Sequence, residues 1–453
     1  MSRKKIHFAM IEAGGGHRSP ALAVQEALEE QFPGKYETRI LDFMKDLGCT
    51  ELDEMHKKAW KYLLSHPDLT KGIQAFDFIT GPVNVNLYKM FLYRFSKYVM
   101  RYLYEEKPDL VFSTHYFNTM GVAYIRRRYE IGPVLVNYLT EVFDFDSYWH
   151  LKTVDYYLVA SERARQKLLK TRFPADKLFG FPYPVRPSFL RVSRKPAEIL
   201  EALALDPSRK TMLITLGSEG IGPVFRMLEA LVEADLPLNM IFVAGKNREL
   251  EQQIQGQLCQ RTGATRLLTL GFIENLNELI HASDFCFIKP GPATTWEVLS
   301  FRKPILFFES AQLSENPNIR YVVDNSLGYF VGNSPRKLIR TVGALLEGPA
   351  LEACQRGYAG VEIDNGAYHI ARFLDEILEG GRPLARAMEQ RIRAGVRRAR
   401  PGDGPGEARP EESQSDEGDS GRVDSPAVSP RRRPAAPRRK RRREPRMPST
   451  GSS

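Results

Sequence analysis

The chain has 453 residues, 65 Lys and Arg against 55 Asp and Glu, and four cysteines, a length that suits two domains of ordinary size. From Gly381 onward it carries 19 basic and 10 acidic residues, leaving 46 and 45 before them, so the body is nearly neutral; the pI near 9.3 reflects the tail and gives no ground for nucleic-acid binding by the body. Cys49, Cys259, Cys286 and Cys354 are scattered without disulfide or zinc spacing. The start runs into a strand pattern with no secretory apolar region, and no apolar run reaches about 18 residues. This fits reduced thiols in a cytoplasmic protein, soluble or peripheral to the inner face of a membrane.

Ile6–Ile11 reads as a strand followed by a glycine loop, Gly14-Gly15-Gly16-His17. Ser19 is placed to cap a helix with Pro20 at its first position, and Ala21, Val24, Ala27 and Leu28 mark that helix's buried face. The loop allows close backbone approach to a ligand but lacks the Lys-Ser/Thr of a nucleotidase phosphate loop. His17 is either a packing histidine or a catalytic base. Tyr36–Phe43 is a second strand. From Glu51 to Glu106 the pattern is helical, with aromatic and basic residues interleaved. Leu87, Met90, Phe91, Phe95, Tyr98, Val99 and Tyr102 fall on one face; such a helix can cover a sheet or lie on an anionic membrane surface.

Strand patterns recur at 109–114, ending in Ser113-Thr114-His115, and at 133–139, ending in Thr140-Glu141 before a polar-aromatic loop through Trp149. Further strands are expected at 155–160 and from Phe179. The second half repeats the alternation. A strand at 211–216 precedes the glycine loop Gly217-Ser218-Glu219-Gly220, and strands follow at 240–244, 267–272, 285–288, 304–308 and 328–331. The strand at 285–288 ends in Pro290-Gly291-Pro292, and a helix is expected to open at Thr294-Thr295 with Glu297 in its first turn. A strand that stops at glycine and restarts as a helix presents free amides and a partial positive charge, a setting for phosphate. Strand–helix alternation argues for two doubly wound, Rossmann-like α/β domains with ligands at the strand ends. From about residue 394 the composition is Arg, Pro, Gly, Ser and Glu, too polar to fold.

Several ordered motifs resemble those of the monogalactosyldiacylglycerol synthases and the bacterial diacylglycerol glucosyltransferases, relatives of the peptidoglycan-precursor N-acetylglucosaminyltransferases. They are Gly14-Gly-Gly-His-Arg18, 107–115, Pro184-Val-Arg-Pro-Ser-Phe189, Gly220-Ile-Gly-Pro223, 271–276, Lys289-Pro-Gly-Pro-Ala-Thr294 and Tyr321-Val-Val-Asp-Asn325. The resemblance implies the GT-B glycosyltransferase fold and an inverting transfer of a hexose from a UDP-sugar to a lipid hydroxyl such as diacylglycerol's. No cofactor or metal is implied; the UDP-sugar is a co-substrate. His17 then stands at the general base, with Glu12 nearby. Gly217, Ser218 and Gly220 match the diphosphate loop, Phe272 and Ile273 the uracil segment, Pro290, Gly291, Ala293 and Thr294 the phosphate-helix loop, and Glu297 the ribose carboxylate. Gln312 or Glu315 would meet the hexose, and Gly15, Gly16, His115, Glu141 and Trp149 the acceptor.

The implied organisation is an acceptor- and membrane-facing domain over 1–190 and a UDP-sugar domain over 191–350. Helices over 351–381 would pack back on the first domain, and a disordered basic tail would cover 382–453. The expected partners are a UDP-hexose, a lipid acceptor and an anionic membrane surface, with nucleic acid unlikely. This chain departs from the family at Glu141, usually aspartate, at Ala311-Gln312-Leu313-Ser314-Glu315, usually Gly-Gln-Glu, and at Ala293 and Trp296. The same fold acting on a polyprenyl-linked or other acceptor, such as a soluble aglycone, or a catalytically silent nucleotide-sugar or anionic-lipid binder, are the alternatives.

Overall fold

A computed structural model describes residues 3–12, 15–80, 85–130, 132–216, 224–309 and 312–380. The tail assigned above as disordered, and the glycine loop at 217–223, lie outside the described residues. The first half holds six parallel strands: β1 (Lys4–Met10), β2 (Tyr36–Asp42), β3 (Leu110–Ser113), β4 (Val134–Tyr138), β5 (Tyr156–Val159) and β6 (Leu178–Gly180). They lie in the order β2-β1-β3-β4-β5-β6. The second sheet holds β7 (Lys210–Thr215), β8 (Leu238–Val243), β9 (Arg266–Leu270), β10 (Phe285–Ile288), β11 (Ile305–Phe307) and β12 (Gly328–Phe330). Its order is β12-β11-β10-β7-β8-β9, again parallel throughout. Central strands such as β3, β8 and β10 are buried along their whole length, as near-continuous apolar runs covered by helices on both faces must be.

The helices of the first half are α1 (Gly15–Gln31), α2 (Phe43–Asp46), α3 (Thr50–Ser65), α4 (Pro67–Thr80), α5 (Val85–Glu106), α6 (Tyr116–Tyr129) and α7 (Glu162–Lys170). The long helical stretch therefore breaks between α3 and α4 at His66, whose φ of −127° and ψ of 71° follow from the proline after it, which disfavours helical geometry in the residue before. On α5 the structure corrects the expected face. Phe95, Val99, Tyr102 and Leu103 are buried, while Tyr98 is exposed; Leu87, Met90 and Phe91 have side chains outside the described residues. The buried face meets α6 at Gly121, where a Cβ would stand 2.7 Å from the Phe95 ring. This half of α5 is a sheet-covering helix.

The second half adds α8 (Pro196–Ala202), α9 (Val224–Glu233), α10 (Arg248–Gln257), α11 (Leu276–Ala282), α12 (Pro292–Ser300), α13 (Asn316–Asp324), α14 (Pro335–Leu346), α15 (Pro349–Ala359) and α16 (Gly366–Leu378). The last helix returns to the first sheet. Phe373 meets Tyr156, Phe179 and Phe181 with ring centroids 5.4, 4.9 and 5.2 Å away. Tyr36 and Tyr368 donate to Asp375 and Glu30, each at 2.6 Å. Gly366 sits so close to the Pro182 carbonyl that a Cβ would come within 1.8 Å of its oxygen. Among the described residues no helix is long and apolar enough to cross a membrane.

Candidate active site

In each sheet the strand order reverses once, between β1 and β3 and between β7 and β10. The crevice beyond the carboxyl ends of the strands at such a point is where doubly wound folds bind ligands. At the first reversal, α1 begins at Gly15, not after Ser19, so Pro20 lies inside the helix and the Ser19 cap is corrected. With the helix already started, the Ser19 hydroxyl is free to donate to Glu297 Oε1 of the second half, 3.3 Å away. A Cβ on Gly15 or Gly16 would meet nothing within 4 Å, so the α-carbons of this first turn face open space.

His17 lies in that first turn, partly exposed. Its Nδ1 donates to the Thr114 carbonyl at 2.8 Å, and the Thr140 hydroxyl stands 3.3 Å from the same nitrogen. The Thr114 hydroxyl donates to the His17 carbonyl at 2.8 Å, so the end of β3 grips both ring and backbone. A carbonyl can only accept, so the imidazole proton sits on Nδ1 and Nε2 keeps its lone pair. Burial holds the imidazole neutral, lowering its pKa to about 4 against the pull of the Thr114 bond, with His56 lowering it further.

His115 packs edge-on against His17 at 4.6 Å, and His56 against His115 at 5.9 Å. The Nδ1 of His115 accepts from Phe117 N–H at 3.2 Å as the cap of α6, so its own proton is on Nε2; burial keeps it uncharged. Buried Trp149 stacks 6.3 Å from His17. Glu12 is exposed and faces Lys246, 4.0 Å away in the second half; Thr114 and Thr140 hold the His17 nitrogen. Burial, with the charges of Glu315, Asp146 and Asp144, pushes the Glu141 carboxyl up to about 8, and its Oε2 is buried.

At the second reversal, Gly217, Ser218 and Gly220 fall outside the described residues. Gly291 caps α12, whose first position is Pro292, so the helix opens two residues before Thr294 and Glu297 stands in its second turn. Proline at that position loses only an amide that would have no helical partner. The Thr295 amide bonds the Gly291 carbonyl, and those of Ala293 and Thr294 are left as the helix's outward donors. Glu297 is pushed upward by burial and eased by Arg186. Phe272 is exposed and Ile273 packs on the core.

The segment after β11 closes over this helix start. Asn318 donates to the Pro290 carbonyl at 2.8 Å, and Glu315 Oε1 lies 3.7 Å from where a Gly291 Cβ would be. Gln312 begins the 3-10 turn Leu313–Glu315. Trp296 faces into the seam between the halves, 5.8 Å from Phe143, 5.5 Å from Tyr183 and stacked 5.8 Å from Tyr321. Thr114, Thr140, Ser19 and Arg186 were not separable as site residues by sequence pattern, since their contribution is a carbonyl, a hydroxyl or a charge brought in by the fold. A cavity of about 420 Å³ lined by Ala123, Arg126 and Glu130 lies at the other end of α6 and touches none of these groups.

Comparison with known proteins bears on the fold and on the family that the sequence resembles. Residues 17–185 match the model of the family described as monogalactosyldiacylglycerol (MGDG) synthase. Monogalactosyldiacylglycerol synthase 2, chloroplastic, of Arabidopsis thaliana is 26% identical over 396 residues, covering 84% of this chain and 82% of that protein. The processive diacylglycerol beta-glucosyltransferase of Bacillus thuringiensis is 25% identical over 335 residues, 70% of this chain and 83% of that one. Among solved structures, Acinetobacter baumannii MurG superposes with a TM-score of 0.52 at 16% identity, over 83% of this chain and all of that one. The UDP-GlcNAc 2-epimerase of Neisseria meningitidis gives 0.53 at 14% identity, over 84% and 100%. The structures speak for the shared two-sheet GT-B fold, and the sequence is similar to those of the monogalactosyldiacylglycerol synthases and of a bacterial diacylglycerol glucosyltransferase.

Proposed function

We propose that the protein is an inverting, UDP-sugar-dependent hexosyltransferase whose acceptor is the free hydroxyl of diacylglycerol at an anionic membrane surface. The observation that carries this reading is the tautomer of His17. Its Nδ1–H is committed to Thr114, so Nε2 is the basic nitrogen at the switch point of the first sheet, two residues from the hydroxyl that reaches Glu297 on α12. In the reaction Nε2 takes the acceptor's proton as its oxygen attacks the anomeric carbon from the face opposite the leaving group. The anomeric C–O bond breaks, and UDP departs with the electron pair, its diphosphate met by the Ala293 and Thr294 amides and the partial positive charge of α12. Glu141, held largely as the neutral acid at neutral pH, can donate to the acceptor or sugar without adding negative charge.

The membrane-facing surface is read from α3 to α5. Met55, Tyr62, Leu69, Ile73 and Tyr93 are exposed there, and Lys97 lies 5.8 Å over the Tyr93 ring, with Arg94 and Arg101 exposed beside it. Aromatic bodies with basic tips suit an anionic interface. The test is a donor-by-acceptor screen, each UDP-hexose with diacylglycerol in anionic vesicles, reading free UDP. Lipid-dependent release with one sugar is expected. His17→Ala should cut that rate by roughly 10²–10⁴-fold while UDP affinity persists; unchanged transfer in His17→Ala would sink the assignment of the base.

A further inference from the structure

One helix of the first half reaches into the second half at the segment expected to meet the sugar. On α4, Gln74 is buried, and its Oε1 accepts from the Leu313 backbone N–H at 2.7 Å. Its Nε2 stands 3.5 Å from Gln312 Oε1 and 3.5 Å from Asp146 Oδ2. Leu313 is the first residue of the 3-10 turn, and no local side chain caps that turn. An amide at a helical start needs an acceptor when water is excluded, and here the acceptor comes from a residue 239 positions away in sequence. One turn earlier on α4, Lys71 pairs with Glu309 at 3.0 Å, at the other side of the same loop.

From this geometry we infer that Gln74 is a positioning residue for donor-sugar recognition, holding Gln312 and the turn through Glu315 in the conformation that reads the hexose. The inference rests on the proposed UDP-hexose transfer. Three observations give it direction. The turn lies over the helix start that would take the diphosphate, through Asn318 and Glu315. The bonds of Gln74 go to the backbone of the turn and to Gln312, so losing them frees the turn without touching the groups that face uridine or phosphate. The same amide group reaches Asp146 in the loop that carries Glu141 and Trp149, so the sugar-reading turn and the acceptor loop share one anchor. Ordering one then orders the other, and a sugar bound at the turn should raise acceptor affinity by the same factor as bound acceptor raises sugar affinity.

The experiment is calorimetric titration of the full chain with UDP, UDP-glucose and UDP-galactose, on wild type, Gln74→Ala and Gln74→Glu, with thermal unfolding of each. Gln74→Ala should bind UDP within about twofold of wild type but lose about tenfold in affinity for the UDP-hexose that wild type prefers, the size of one or two buried hydrogen bonds. Its preference between the two sugars should shrink. Gln74→Glu keeps the acceptor for the Leu313 amide but turns the donor facing Gln312 Oε1 and Asp146 Oδ2 into a second acceptor. It should therefore recover at most part of the lost UDP-hexose affinity and leave UDP affinity unchanged, whereas a general loss of packing would weaken both. Equal weakening of UDP and UDP-hexose in Gln74→Ala, or no change in either, overturns the inference while leaving the transferase reading intact. A wild-type chain that binds none of the three overturns both.

Discussion

His17 and Glu141 hold their protons oppositely, and in both the largest cause is removal from water. Burial disfavours the charged form of each, so the histidine is lowered to about 4 and the carboxyl raised to about 8. Between those values the base is neutral and the carboxyl is an acid, so kcat/KM should hold a plateau with an acid limb near pH 4 and an alkaline limb near pH 8. Glu141→Gln should abolish the alkaline limb. The stability signs follow separately. Between pH 6.5 and 4 the unfolded chain binds the histidine proton and the fold does not, so stability falls as pH falls through that window. Between about pH 4.5 and 8 the fold holds a carboxyl proton that the unfolded chain has lost, so stability falls as pH rises. Glu141→Gln should therefore raise the melting temperature at pH 9 relative to wild type and change it little at pH 5. The candidacy of His17 was legible from a glycine loop after a strand. Its tautomer was not, because the deciding partner is a backbone oxygen 97 residues away.

At the scale of elements, the strands were the most legible because both faces of a parallel sheet are buried and the sequence shows unbroken apolar runs. Helix starts were less so. Ser19-Pro20 and Thr294-Thr295 each carry good local capping chemistry, but α1 begins four residues before Ser19 and α12 two before Thr294. Glycine positions also show where elements touch. Gly366→Ala would drive a methyl into the Pro182 carbonyl and should push α16 off the first sheet. Phe373→Ala should cost about 3–5 kcal/mol, as truncation of a buried aromatic does, because three aromatic rings lose their common neighbour. Denaturant unfolding of the two variants checks both, with a surface substitution such as Glu352→Ala expected to stay within about 0.5 kcal/mol.

For the whole molecule, the seam between the sheets is built from aromatic rings on one side and single polar clasps on the other. Phe143, Trp296 and Tyr321 pack within 5.8 Å of one another, whereas Lys71–Glu309 and Glu12–Lys246 are ion pairs and Ser19–Glu297 and Gln74–Leu313 are hydrogen bonds. Partly exposed ion pairs contribute at most about 1 kcal/mol and weaken with salt, so the aromatic rings, with the buried Gln74 bond to Leu313, carry the seam. The family match ends at residue 185, yet the helix that covers Tyr156, Phe179 and Phe181 is 366–378. A fragment of residues 1–190 is expected to aggregate, and one of residues 1–380 to run as a single soluble species in size-exclusion chromatography; a monodisperse 1–190 fragment would show that α16 is dispensable. The same return helix sets a schedule for biosynthesis. The ribosome delivers all six strands of the first sheet long before it delivers Phe373, so the nascent chain must carry an uncovered apolar strip while the entire second half is made. The half that emerges first is therefore the half completed last, and any agent that shields apolar surface on nascent chains would act on β5 and β6 until the last helix docks.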